Sequence, residues 1–185
     1  MAGRFPSSRR RRCAGREYAG RRSDKRGGRV MIRRAREADV PAIVELVHEL
    51  ALYEKEPDSC HLTEEQLRAA LFGPDPALFG HVAEVDGAVV GMSLWFLNFS
   101  TWEGVHGIYL EDLYVRPQQR GAGLGKQLLQ TLARECVERG YARLEWSVLD
   151  WNEPSIEFYK AQGAFPMDGW TVYRLTGEAL RDFGG

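Results

Sequence analysis

Cysteine is scarce in these 185 residues: Cys13, Cys60 and Cys136 are all there is. An odd, widely spaced set provides neither a disulfide framework nor a paired metal-ligand motif. His48, His61, His81 and His106 are scattered, and none stands at metal-ligand spacing to another, so no metal is expected. No run approaches the ~18 apolar residues of a membrane span. The N-terminus is basic but has no apolar stretch behind it, which excludes a secretory signal. The default compartment is therefore the cytoplasm, with no membrane partner.

Charge is divided unevenly along the chain, with acid scarce at the start and base outnumbered in the rest. Residues 1–30 hold eleven Lys or Arg against two Asp or Glu, and the rest holds fourteen against twenty-four. An acidic body attracts cations and has little reason to bind a nucleic-acid backbone. Residues 1–29 are mostly Arg, Gly and Ser, with almost nothing to bury, and disorder is expected there. Three readings of this tail stand: a nucleic-acid or membrane-surface arm, an upstream start before a protein beginning at Val30 or Met31, or a tail without function. Residues 30–185 suit one domain.

What is present reads as a helix-bearing α+β unit with a mainly antiparallel sheet. Residues 30–34 form a first strand. A helix over 37–52 has apolar positions Val40, Ile43, Val44, Val47, Leu50 and Ala51, with Asp39 as N-cap and Pro41 in the first turn. Thr63 and Gln66 make a capping box that opens a helix to about Leu71. Residues 79–85 and 88–97 form a hairpin around Asp86-Gly87, and 98–104 connect to a strand over 105–115. That strand carries adjacent carboxylates, Glu111 and Asp112, which break simple alternation and imply a bulge where function overrides packing. A long helix over 121–139 buries Leu124, Leu128, Leu129, Leu132, Cys136 and Val137 on one stripe and closes at Gly140. A strand over 143–149, a short helix over 152–161 and a final hairpin of 164–167 with 170–175 complete the order.

The segment Arg120-Gly121-Ala122-Gly123-Leu124-Gly125-Lys126 joins a strand to the long helix. Alternating glycines let the backbone approach a ligand, and the helix start adds free N–H groups and a positive dipole end. With Arg120 this makes a pyrophosphate site; the plainer alternative is a glycine-rich helix entry without a ligand. A P-loop is excluded because Gln127 follows Lys126 where Ser or Thr is required. The dinucleotide fingerprint is excluded by its different spacing and by the hairpins that precede the loop.

This loop resembles the acyl-CoA loop of the GNAT N-acetyltransferase superfamily, and the chain is most similar to its diamine (spermidine/spermine) N-acetyltransferase branch. The similarity also rests on Glu49-Leu50-Ala51-Leu52-Tyr53-Glu54, on Tyr109-Leu110-Glu111-Asp112-Leu113-Tyr114-Val115, and on Trp151-Asn152-Glu153-Pro154-Ser155-Ile156-Glu157-Phe158-Tyr159-Lys160. It covers about residues 30–180. It implies a three-layer α/β/α fold with a mixed, splayed central sheet, acetyl-CoA as cosubstrate, and a homodimer. It implies that Leu113, Tyr114 and Val115 hold the pantetheine arm, and that Asn152 and Ser155 contact CoA. Tyr159 would be the acid for the leaving thiolate, and Glu111 the base, acting through water. Tyr53, Glu54, Trp102 and Asp112 would line the amine channel, with Trp102 the loosest match.

The chemistry is consistent with those residue types. A primary ammonium titrates near ~10.4 and must arrive neutral at the thioester. Paired carboxylates raise each other's pKa and improve a base. A structural pair, bonded to backbone or Arg, is the plainer reading of Glu111 and Asp112. The acidic lining suits a diamine or polyamine. A lysine-like amino acid such as thialysine is the alternative and would need a cation for its carboxylate, for which Lys55, Arg116 and Lys160 are candidates. A non-catalytic CoA-binding module is a further alternative.

Overall fold

The computed structural model describes Arg22–Ser23 and residues 29–185. The expected disorder of residues 1–29 otherwise lies outside the described residues. Arg22–Ser23 (β1), however, pair antiparallel with the next strand, where no structure was expected.

The sheet runs β1 to β6 in sequence order: β2 (Arg29–Arg34), β3 (Phe79–Val85), β4 (Ala88–Ser100), β5 (Val105–Val115) and β6 (Leu144–Glu145). The pairs from β1 through β5 are antiparallel, and β5 with β6 is parallel. Helices α1 (Val40–Tyr53) and α2 (Glu64–Phe72) cover one face. Val40, Ile43, Leu46, Leu67 and Leu71 pack there on Val82, Met92, Leu94 and Tyr114. Helix α3 (Leu124–Arg139) covers the other, where Leu124 and Leu128 pack on Val30, Ile32, Ala83 and Val115. This is the three-layer arrangement the pattern and the resemblance imply. It follows from the strand period of two, which sends alternate side chains to opposite helix layers.

Two features of β5 shape the site. The register with β4 passes from Leu94↔Asp112 to Trp95↔Leu110, so Glu111 is the extra residue of a bulge. The pairing of β5 with β6 covers only Ile108↔Leu144 and Tyr109↔Glu145. Beyond Tyr109, β5 continues to Val115 with no strand beside it on that edge among the described residues. The sheet is therefore parted where the bulge begins.

Several expectations are corrected. Asp39 stands at the N-cap of α1, but its carboxylate does not cap that helix. It accepts from Arg33 Nη1 and Nη2 at 2.6 and 2.8 Å and from the Arg36 N–H at 2.7 Å, because a guanidinium on β2 offers stronger donors than the helix start. β4 extends to Ser100, past the expected end at residue 97. α3 starts at Leu124, since Gly121 and Gly123 adopt left-handed backbone. The strand over 143–149 shrinks to two residues. The expected final hairpin of 164–167 with 170–175 is not formed, and an unexpected helix, Gly177–Gly184, follows it. Residues 147–185 form a compact unit of their own, which includes the late helix α4 (Glu153–Lys160). The capping box of Thr63 and Gln66 forms as expected.

Candidate active site

The glycine loop is built for close approach. Gly121 (φ +80°) and Gly123 (φ +77°) are left-handed, and a side chain at either would point into open space. Gly123 is the N-cap of α3 and supplies no capping side chain, so the first-turn N–H groups are left to solvent or a ligand. Leu124 is buried and anchors the helix start, whereas Lys126 is exposed. The Arg120 side chain turns back from the loop. Its Nε donates to the Val115 carbonyl at 3.0 Å, and its guanidinium lies 5.1 Å from the Tyr53 ring and 5.5 Å from the Tyr114 ring. Arg120 thus joins the loop to the end of α1.

Backbone groups face the parted edge of β5. The Arg116 N–H bonds the Val90 carbonyl on β4. In an antiparallel ladder the direction alternates, so Leu113 and Val115 turn their N–H and carbonyl groups the other way. Tyr114 is packed under α1, and its hydroxyl bonds Glu49. Burial comes first in lifting that phenol above its ordinary pKa, and Glu49 adds to it.

Around the bulge sits an acidic group. Asp112 faces the α1 layer, partly buried, and its carboxyl is pushed up to about 7 by burial first and then by Glu111 and Glu54. Among the described residues, neither Glu111 nor Asp112 makes a side-chain hydrogen bond or ion pair, so the structural-pair reading lacks support. Glu54 is the C-cap of α1, where a carboxylate opposes the helix dipole, and burial lifts its pKa as well. Lys55 follows with a left-handed φ of +67°. Glu111 itself is exposed.

Of the expected lining residues, Glu54, Glu111 and Asp112 come together, and Tyr53, next to Glu54 in the chain, lies against Arg120. Trp102 does not join them: it is 89% exposed in the turn between β4 and β5, roughly 20 Å along β5 from the bulge. Arg116 is committed to Glu45 and Glu49 at 2.7 and 2.9 Å, and Lys160 lies 3.0 Å from Glu157. In the unit of residues 147–185, Asn152 is the N-cap of α4 and its carbonyl accepts from the N–H groups of Ser155 and Ile156, both at 3.0 Å. Tyr159 lies on the same helix, its ring 5.2 Å from that of Phe158. Sequence reasoning missed a second polar group, Asn98, Arg143 and Glu145. The isolated Arg-x-Glu of β6 was the available signal.

A strand bulged at a carboxylate, a parted edge and a glycine loop opening a helix are the parts the resemblance implied. The profile of the Acetyltransferase (GNAT) family matches residues 41–164. The chain belongs to this family. It is an N-acetyltransferase of the GNAT fold, near the polyamine branch, and members of the family use acetyl-CoA. The chain is 41% identical over 167 residues to thialysine N-epsilon-acetyltransferase of Bos taurus, covering 84% of this chain and 98% of that protein. It is 31% identical over 161 residues to spermidine/spermine N(1)-acetyltransferase-like protein 1 of Homo sapiens, covering 82% of this chain and 23% of that protein. An integron cassette protein from the mobile metagenome of V. cholerae shares the fold with a TM-score of 0.71 at 25% identity, covering 84% of this chain and 97% of that one. The GNAT acetyltransferase has no helix among its described residues long and apolar enough to cross a membrane.

Proposed function

We propose that this enzyme transfers the acetyl group of acetyl-CoA directly to the primary amine of a small cationic substrate. The observation that carries the reading is the bulge: it presents Glu111 to solvent beside Asp112, a partly buried carboxyl without a cationic partner among the described residues, at the edge where the sheet parts. A substrate ammonium supplies the missing charge. Burial and like charge raise the basicity of Asp112 towards neutral pH, which suits a site that must accept a proton near pH 7. Glu111 receives the amine proton through water, and Asp112 and Glu54 draw the cation in.

The cofactor is held by residues 120–126. The open cradles at Gly121 and Gly123 and the first N–H groups of α3 suit a pyrophosphate. The outward backbone of Leu113 and Val115 suits the amide-bearing pantetheine arm, and an N–H near Leu113 is the donor for the developing oxyanion. Acetyl-CoA supplies the activated acetyl group. Asn152 and Ser155 as CoA contacts, and Tyr159 as proton donor to the thiolate, rest on the residue match alone.

Two substrate classes fit the acidic lining, a diamine or polyamine and a lysine-like amino acid. The relatives' names point to both. A cytoplasmic homodimer acting on small molecules, without nucleic acid or membrane, completes the proposal. The test is thiol release from acetyl-CoA with putrescine, spermidine, spermine, lysine, thialysine and aminoglycosides. Turnover of any of the first five amines supports the reading, and turnover of none of the panel removes it.

A further inference from the structure

The sheet face that carries Asp112 has a second polar group further along. Strand alternation and register put Phe96, Asn98, Gly107, Tyr109, Arg143 and Glu145 on this face. Phe96 and Tyr109 stack with ring centroids 5.1 Å apart, level with Glu145 on the neighbouring strand. Arg143 Nε lies 2.8 Å from Glu145 Oε2, and Asn98 Nδ2 donates to that same oxygen at 2.7 Å. Residue 107 is glycine for a reason: a Cβ there would stand 2.7 Å from Arg143 Cγ and 2.5 Å from Asn98 Oδ1. The missing side chain lets the Arg143 stem lie across β5. Both charged side chains keep about a third of their surface exposed.

One acceptor of this group is unfinished in its hydrogen bonding. Asn98 Oδ1 is a buried acceptor without a hydrogen bond, while Arg143 Nε rests on the Glu145 carboxylate. Buried polar atoms are almost always satisfied, so this acceptor calls for a donor. A cation and an anion fixed side by side match the two charges of an amino-acid head group.

We propose that Arg143 and Glu145 receive the zwitterionic end of an amino-acid substrate, Arg143 taking the α-carboxylate and Glu145, held by Asn98, taking the α-ammonium. This rests on the reading that the terminal amine reacts at Glu111 and Asp112. The length agrees. Glu145 stands opposite Tyr109, one strand over and two residues before Glu111, which puts the two α-carbons about 8 Å apart. A lysine-like side chain spans about 6 Å from α-carbon to terminal nitrogen. A diamine brings no carboxylate, and Arg143 would set a like charge beside its distal ammonium. The specificity therefore falls on the amino acid.

The experiment measures kcat/KM for lysine, thialysine, cadaverine (lysine without its carboxylate) and 6-aminohexanoate (lysine without its α-amine). Wild type should favour lysine and thialysine over both truncated substrates. Arg143→Gln should lower kcat/KM for lysine and thialysine 10- to 100-fold, mainly through KM, and leave cadaverine unchanged or improved, with part of the loss regained in Arg143→Lys. Glu145→Gln should lower lysine but not 6-aminohexanoate, and this variant keeps the question open to test if Arg143→Gln does not fold, as judged by circular dichroism and CoA binding. An unchanged lysine-to-cadaverine ratio in Arg143→Gln, or a wild type that favours cadaverine, overturns the proposal. Turnover of only other amines overturns it and leaves acetyl transfer at the bulge standing. No thiol release with any amine removes both.

Discussion

Replacing Asp112 with Asn should make the free enzyme more stable in a way that depends on pH. Asp112 is partly buried between Glu111 and Glu54, and its carboxyl is pushed up to about 7, against 3.8 for an ordinary aspartate. Below pH 4 the folded and unfolded chains both carry the proton, and the group costs nothing. Between pH 4 and 7 the unfolded chain releases the proton while the folded chain retains it, so stability falls as pH rises. Above pH 7 the penalty is constant. Its ceiling is on the order of 4 kcal/mol, from about three tenfold steps of proton affinity. Water reaches part of the carboxyl and local relaxation screens the rest, so about 1–2 kcal/mol is expected. Urea denaturation followed by tryptophan fluorescence should find Asp112→Asn more stable than wild type by that amount at pH 8, with the gap closing at pH 4. A gap independent of pH, or a destabilised variant at pH 8, would refute the reasoning.

Asp39→Ala leaves the buried Arg33 with Glu84 alone, and thermal or urea unfolding should show a loss of about 3 kcal/mol. Burial alone would lift the Asp39 carboxyl, but Arg33 and the Arg36 N–H hold it below its ordinary pKa, so this contribution is present at neutral pH and fades as pH falls below 4. Gly123→Ala puts a Cβ on a left-handed N-cap; it should cost about 1 kcal/mol of stability and weaken CoA binding at least tenfold by calorimetry. Tyr159→Phe should lower kcat about 100-fold with the CoA dissociation constant within twofold, and equal turnover would remove its role as acid.

Strands β3 and β5 and the capping box of α2 were legible to the residue, because the period-two alternation and the Thr63–Gln66 pair are local signals. The bulge was legible for a different reason: adjacent carboxylates in an apolar strand had no place in a regular ladder. The glycine loop was legible as a helix entry, although its left-handed residues displaced the helix start to Leu124. The missing hairpin shows the limit. Trp170, Val172 and Tyr173 carry strand propensity, yet that propensity reports fit to a partner surface rather than a backbone preference. Arg143 and Glu145 were not legible as a site. Their meaning depends on Gly107 and Asn98, which lie 36 and 47 residues earlier and meet them only through strand register.

The most direct test of the account is the acetyl-transfer rate of Glu111→Gln with acetyl-CoA and lysine or cadaverine, measured beside its CoA affinity. Glu111 is exposed on a bulge and makes no side-chain bond among the described residues, so the substitution should leave the fold intact. The account predicts a fall in kcat of about 10²- to 10⁴-fold with CoA binding within twofold of wild type. Undiminished turnover in a variant that binds CoA normally would contradict it.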